Sequence, residues 1–262
     1  MGEPDVAGVG SRAPSGGSTV HLLGGLYVTR NGHRLEVPEG SKRLLAFLCL
    51  QNGQVERCHV ASTLWPSVDD RRAAGNLRSA LWRLRGADVD VLAADKRSIG
   101  LREDVAVDVS ELAEWASRLV ARCPAPGDLS LHRPLDDALD LLSGCYDDWA
   151  IIERERMRQR MLHALEALSR ALTAMGRYGE AVEAALTAIV AEPLRESAQC
   201  ALLEAHLAES NLIEARRDFL AYRDLVRREL GVEPSVELAA LVRRPAADGS
   251  RASREAPVAA IV

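Results

Sequence analysis

RRAAGNLRSALWRLR, residues 71–85, is the stretch on which the reading of this chain turns. It holds five arginines and no acid. Leu77, Leu81 and Leu84 recur at i, i+4 and i+7, the spacing of one buried helix face. At about 100° per residue, the opposite face gathers Arg71, Arg72, Asn76, Ser79, Trp82 and Arg83, with Arg78 and Arg85 on its flanks. Arginine can grip guanine through two hydrogen bonds, asparagine can do the same to adenine, and serine can reach several bases or a phosphate. An apolar stripe backed by such groups suits a helix lying in a DNA major groove. The alternative is an ordinary amphipathic helix whose basic face is merely solvated. Trp82 either touches a DNA sugar or a thymine methyl, or packs on a neighbouring sheet, and the second is the expectation.

The flanking sequence places this helix third in a series. Residues 20–37, VHLLGGLYVTRNGHRLEV, alternate loosely and predict strands near 20–23, 25–30 and 33–37. Asn31-Gly32 suits a hairpin turn in which both central residues take positive φ. Next, Ser41 reads as an N-cap to a leucine-rich helix (Leu44, Leu45, Phe47, Leu48, Leu50) that Gly53 ends. A second helix over about 57–65 carries Val60, Leu64 and Trp65, and Pro66 stops it. After the arginine helix, 89–94 and 97–102 read as two strands joined at Lys96-Arg97. Two helices, a recognition helix and a basic-tipped hairpin make a winged helix-turn-helix. In that arrangement the third helix enters the major groove and the hairpin tip reaches the backbone or minor groove beside it. Arg72, Asn76, Ser79 and Arg83 are the candidate base readers. Lys42, Arg43, Arg57, Arg71, Arg78, Lys96 and Arg97 are the candidate contacts to the DNA backbone, which position a protein without specifying sequence.

The rest of the chain reads differently. Ser110 is placed to cap a helix burying Leu112, Trp115 and Leu119, residues 123–134 form a loop, and 135 to about 242 has helical periodicity almost throughout. Gly176-Arg177-Tyr178-Gly179-Glu180-Ala181 returns in weaker form as Ser210-Asn211-Leu212-Ile213-Glu214-Ala215. Ala181 and Ala215 lie 34 residues apart, the tetratricopeptide period. A small alanine lets two helices approach closely, Tyr178 and Leu212 fill the same interface position, and Pro193 falls where a second helix should stop. Charge follows the same division. Residues 18–105 hold thirteen Lys/Arg against ten Asp/Glu, whereas 106–262 hold nineteen against twenty-six. A chain with a net charge of −5 thus has a basic half suited to DNA and an acidic half suited to another task.

Together these segments resemble a known family. LLAFLCLQNGQVERCHVASTLWP (44–66) followed by AAGNLRSALWRLR (73–85) looks like the DNA-binding domain of the Streptomyces antibiotic regulatory protein family, through Leu64, Trp65, Leu77, Arg78, Leu81, Arg83, Leu84 and Arg85. Residues 153–168 and 191–238, with Pro193-Leu194-Arg195-Glu196 and Glu229-Leu230-Gly231-Val232-Glu233-Pro234, look like the bacterial transcriptional activation domain that follows it there. The resemblance covers about 18–242. It implies a mainly α fold with a small β component, a response-regulator-type winged helix over 18–105 and a tetratricopeptide-like helical domain over 106–242. It also implies a sequence-specific transcriptional activator that binds direct repeats near promoters, self-associates on DNA and contacts RNA polymerase. A tetratricopeptide-type adaptor between proteins, without specific DNA binding, is the other reading.

Other classes find little support. The hydrophobic fraction of 47% and charged fraction of 27% are those of a globular protein, and no apolar run of about 18 residues predicts a membrane span. Residues 1–17 and 243–262 read as disordered tails, and the first of these lacks the pattern of a secretory signal. Five cysteines, scattered and never as C-x-x-C, point to a reducing cytoplasm and to no structural zinc, and the regulator reading implied by the resemblance adds nucleoid association. No phosphate-cradling glycine loop, zinc-protease or hydrolase motif occurs, so no enzyme activity and no cofactor are expected. Asp136, Asp137 and Asp140 and the Asp147-Asp148 pair read as helix-start and solvated charges.

Overall fold

The computed structural model describes residues 17–51, 53–130, 135, 139, 141, 142 and 144–243. The expected tails therefore lie outside the described residues save Gly17 and Arg243, as do Asp136, Asp137 and Asp140. The chain is mainly helical, with its strands near the N-terminus. It divides into two compact units. The first runs to Asp128 and takes up the stretch from His132 to Ala164; the second runs from Leu165 onward and includes Leu129–Leu131.

The first unit opens with three short strands, β1 (Ser18–His21), β2 (Tyr27–Arg30) and β3 (His33–Glu36), paired antiparallel in order. Asn31 and Gly32 have φ of 53° and 78°, the turn expected of that dipeptide. Next come α1 (Glu39–Cys49), the two-residue β4 (Val55–Glu56), α2 (Arg57–Leu64) and α3 (Asp70–Gly86). The hairpin is β5 (Leu92–Ala94) and β6 (Ser98–Leu101), and β4 pairs along β6 to make a three-stranded wing. Buried in this unit are Val20 and Val28 of the sheet, Leu44, Leu45 and Leu48 of α1, Val60 and Leu64 of α2, Leu77 and Leu84 of α3, and Ile99 of β6.

Two local expectations are corrected here. Ser41 is not an N-cap: α1 already begins at Glu39 behind Pro38, and Ser41 is fully buried. A buried hydroxyl needs a partner, and Ser41 Oγ donates to the Ala80 carbonyl of α3 at 2.8 Å. Nor does Ser110 begin the next helix. A further strand, β7 (Val105–Val107), pairs parallel with β1 and leads directly into α4 (Asp108–Val120). The Asp108 carboxylate accepts from the backbone N–H groups of Leu22, Leu23 and Val109 at 2.7–3.1 Å. The N-terminal sheet therefore has the order β3-β2-β1-β7 and closes across the expected domain limit at 105. On α4, Leu112, Trp115 and Leu119 are buried as their spacing implied. Trp115 Nε1 donates to the Asp128 carbonyl at 2.9 Å, and Arg118 pairs with the buried Asp128 carboxylate. The latter lies on a single 3₁₀ turn, Pro126–Asp128.

The long helix α5 (Asp148–Ala174) is divided between the units after Ala164. The second unit continues with α6 (Tyr178–Ala191), α7 (Glu196–Ala208), α8 (Leu212–Leu230) and α9 (Val236–Arg243). Its internal repeat is visible bond by bond. Gly176 and Ser210 both take positive φ, 76° and 69°. Each is followed by a residue whose N–H reaches back five positions: Arg177 to Leu172 at 3.0 Å, and Asn211 to His206 at 2.8 Å. Ala181 and Ala215 are then fully buried. Around this frame Leu203, Ala215, Tyr222, Val226, Leu238 and Val242 form one apolar cluster.

Candidate nucleic-acid interface

Helix α3 starts where Asp69 accepts the Arg72 N–H at 2.9 Å, so an acid caps the positive end of the helix. Its buried face is Ala73, Leu77, Ala80 and Leu84, while Leu81 is half-buried. Alanines at 73 and 80 let α1 and α2 lie close against it. The opposite face is turned outward, with Arg71, Arg72, Arg78, Ser79, Trp82, Arg83 and Arg85 exposed and Asn76 half-buried. Trp82 is 74% exposed, so the expectation that it packs on a sheet is overturned.

Around the helix, Arg72, Asn76, Ser79 and Arg83 fall along one edge of this face, within about 60° of each other by the helical period. Two of them have local constraints. Ser79 Oγ donates to the Gly75 carbonyl at 3.1 Å, which leaves its lone pairs to accept from an amino group. The Arg83 guanidinium lies over Gly40 of α1, so close that a Cβ there would meet Nη1 at 2.9 Å. Glycine at 40 gives that side chain its seat.

The wing brings a second set of cations to the start of α2. At the hairpin tip Asp95 accepts from Arg97 N and Ser98 N at 2.6 and 2.7 Å, forming a local turn that turns Lys96 and Arg97 out to solvent. The Ser98 and Arg97 N–H groups hold the Asp95 carboxyl below its ordinary range. The backbone N–H of Arg57 donates to the Arg97 carbonyl at 2.8 Å, and its guanidinium reaches the Asp95 carbonyl at 3.4 Å. Arg57 also shares a groove between α2 and α3 with Arg78. Arg57, Lys96 and Arg97 are thus brought together, as the sequence alone could not show.

The two cations on α1 are placed otherwise. Lys42 pairs with Glu39 at 2.7 Å. Arg43 donates to Asp147 at 2.8 Å and to the Leu64 carbonyl at 3.0 Å. The contrast with α3 is chemical. Arg30, Arg34, Arg102, Arg118, Arg170 and Arg195, among others, are paired to carboxylates. Among the described residues Arg71, Arg72, Arg78, Arg83, Arg85, Lys96 and Arg97 have no carboxylate partner. A paired guanidinium must give up one anion to take another, whereas these are free to take phosphates or base edges.

Winged helix followed by helical repeat defines a class of two-part transcriptional regulators, and the comparisons agree. Residues 107–244 match the bacterial transcriptional activator domain, and the chain belongs to that family, that of the Streptomyces antibiotic regulatory proteins. It is similar to the regulatory protein AfsR of Streptomyces coelicolor, 29% identical over 241 residues, an alignment covering 88% of this chain and 24% of AfsR. The chain thus spans about a quarter of the length of that relative. Its fold is similar to that of Mycobacterium tuberculosis EmbR in complex with a low affinity phosphopeptide, with a TM-score of 0.62 and 22% identity over 87% of this chain and 65% of the other. No helix among the described residues is long and apolar enough to cross a membrane.

Proposed function

We propose that this protein binds double-stranded DNA sequence-specifically and activates transcription. In this reading α3 lies in the major groove, and Arg72, Asn76, Ser79 and Arg83 read base edges. Arg57, Arg71, Arg78, Lys96 and Arg97 hold phosphates on either side. Lys42 and Arg43 are left out of the interface because carboxylates already occupy them. The observation that carries the reading is the concentration of unpartnered cations on one exposed helix face and the neighbouring wing tip. Such charges release counterions from DNA on binding. The helical half, with its excess of acids, opposes DNA and is assigned to assembly on direct repeats and to contact with RNA polymerase. A cytoplasmic, nucleoid-associated location goes with this function.

The test is site selection from random duplexes with the full chain, followed by gel shifts and in-vitro transcription on a two-repeat promoter. Enrichment of one sequence, cooperative occupancy of two copies and raised transcription are expected. Enrichment of nothing above random would refute the reading and favour an adaptor between proteins.

A further inference from the structure

We infer that Trp82 is a specificity determinant, reading thymine through its C5-methyl group. The inference rests on the assignment of α3 to the major groove. The indole stands at the middle of the outward face, 74% exposed, and among the described residues no aromatic ring or guanidinium stacks on it. By the helical period, Gly75 and Gly86 lie within about 40° of it around the helix, about 10 Å before and 6 Å after it along the axis. Neither carries a side chain; a Cβ built at Gly86 would meet nothing within 4 Å, whereas one at Gly75 would lie 3.8 Å from Arg78 Nη2. Arg72, Asn76, Ser79 and Arg83 line one edge of the face and Arg78 and Arg85 the other, while Arg71 lies within about 20° of the indole around the helix, about 16 Å before it along the axis. Past Arg71 the centre line therefore presents one large apolar body, followed by the open position at Gly86, where the helix backbone can approach closely.

A major groove offers acceptors, donors and a single kind of apolar group, the thymine methyl. On a wholly polar groove floor the indole could serve one acceptor through Nε1–H, and its much larger carbon face would still lie against base edges it cannot satisfy. Apolar contact with one or two adjacent thymines uses that surface and excludes water from it. Cytosine, which lacks the methyl, is then disfavoured at the same step.

The test uses the full chain and the duplex that site selection returns. Each thymine is replaced in turn by deoxyuridine, which removes only the methyl, and dissociation constants are measured by fluorescence anisotropy for the wild type, Trp82→Ala and Trp82→Gln. Burying one methyl corresponds to about fourfold in affinity. The wild type should lose about that much at one or two neighbouring thymines and nothing elsewhere. Both variants should bind the thymine and deoxyuridine duplexes equally and tolerate cytosine there. Both should melt with the wild type, since the side chain is exposed. A wild type indifferent to deoxyuridine at every position overturns the inference, whatever the variants do, and so does a penalty that persists in both variants. Those results leave DNA recognition by the helix intact. Failure of selection to return any sequence overturns the DNA-reading assignment and this inference with it.

Discussion

Salt dependence offers the most direct measure of the proposed interface, because the structure separates cations that are free from cations that are engaged. Five are assigned to phosphates: Arg57, Arg71, Arg78, Lys96 and Arg97. Each phosphate neutralised contributes about −0.9 to the slope of log affinity against log salt, so the wild-type slope should be about −4.5. Raising salt from about 50 to 200 mM then weakens binding about 500-fold. Alanine at Arg97 should flatten the slope by about 0.9, with half that change or less tolerated if its phosphate is shared with Lys96. Arg43→Ala should leave the slope unchanged, since Arg43 already gives its charge to Asp147, 104 residues away in sequence. That substitution acts on stability instead, by about 1 kcal/mol, because it strips a partner from a carboxylate that is 26% exposed. Anisotropy titrations of one labelled duplex at five salt concentrations give both slopes. If Arg43→Ala flattens the slope as much as Arg97→Ala, the Arg43–Asp147 pair does not survive binding and the division between free and engaged cations fails. A wild-type slope near zero would refute phosphate binding altogether.

Three further outcomes follow from the geometry. Asp108→Ala strands the Leu22 and Leu23 N–H groups and should cost about 2–3 kcal/mol in urea unfolding followed by tryptophan fluorescence; a loss under about 0.5 kcal/mol would deny that the carboxylate anchors the sheet. Gly176→Ala and Ser210→Gly should move stability in opposite directions, a loss of about 1–2 kcal/mol and a gain of a few tenths, since both positions hold left-handed φ; thermal melts that shift the same way would break the equivalence of the two turns. Cys58 and Cys123 are exposed and should react quickly with a disulfide reagent near neutral pH, while Cys49, whose thiol burial pushes up, waits for unfolding, and Cys200, pushed up to about 11, reacts slowly. Bound DNA should slow Cys58, which lines the groove between α2 and α3, and leave Cys123 unaffected; equal protection of both would place the DNA elsewhere.

What could be read in the sequence was what is local. The helix over 71–85, its leucines at 77 and 84, the Asn31-Gly32 turn and the 34-residue repeat all rest on spacing or on backbone preferences that a short window contains. What was missed at Ser41, at Arg43 and in the strand near 105 concerns partners far away in the chain. Ser41 precedes a leucine run as a cap would, yet its hydroxyl is held by Ala80 on another helix. Arg43 looks free until Asp147 is brought beside it. Val105–Val107 is too short to announce a strand, and its partner is β1. Trp82 was expected inside because large aromatic side chains are mostly buried; only the packing of α3, through alanines at 73 and 80, shows which face turns outward.

The pairing of β1 with β7 also orders events in time. Val20 meets Val107, and Leu22 waits for Asp108 across 86 residues. A ribosome delivers the first strands long before the segment that completes their sheet. Until then β1 presents an open edge, and the loop to be closed contains every helix that faces the proposed DNA site. Contacts of such sequence separation slow folding and leave the nascent chain open to wrong pairings. The N-terminal sheet is finished only when synthesis has passed into the matched activator domain, so a chain arrested before that point carries α3 without the strand that completes that sheet.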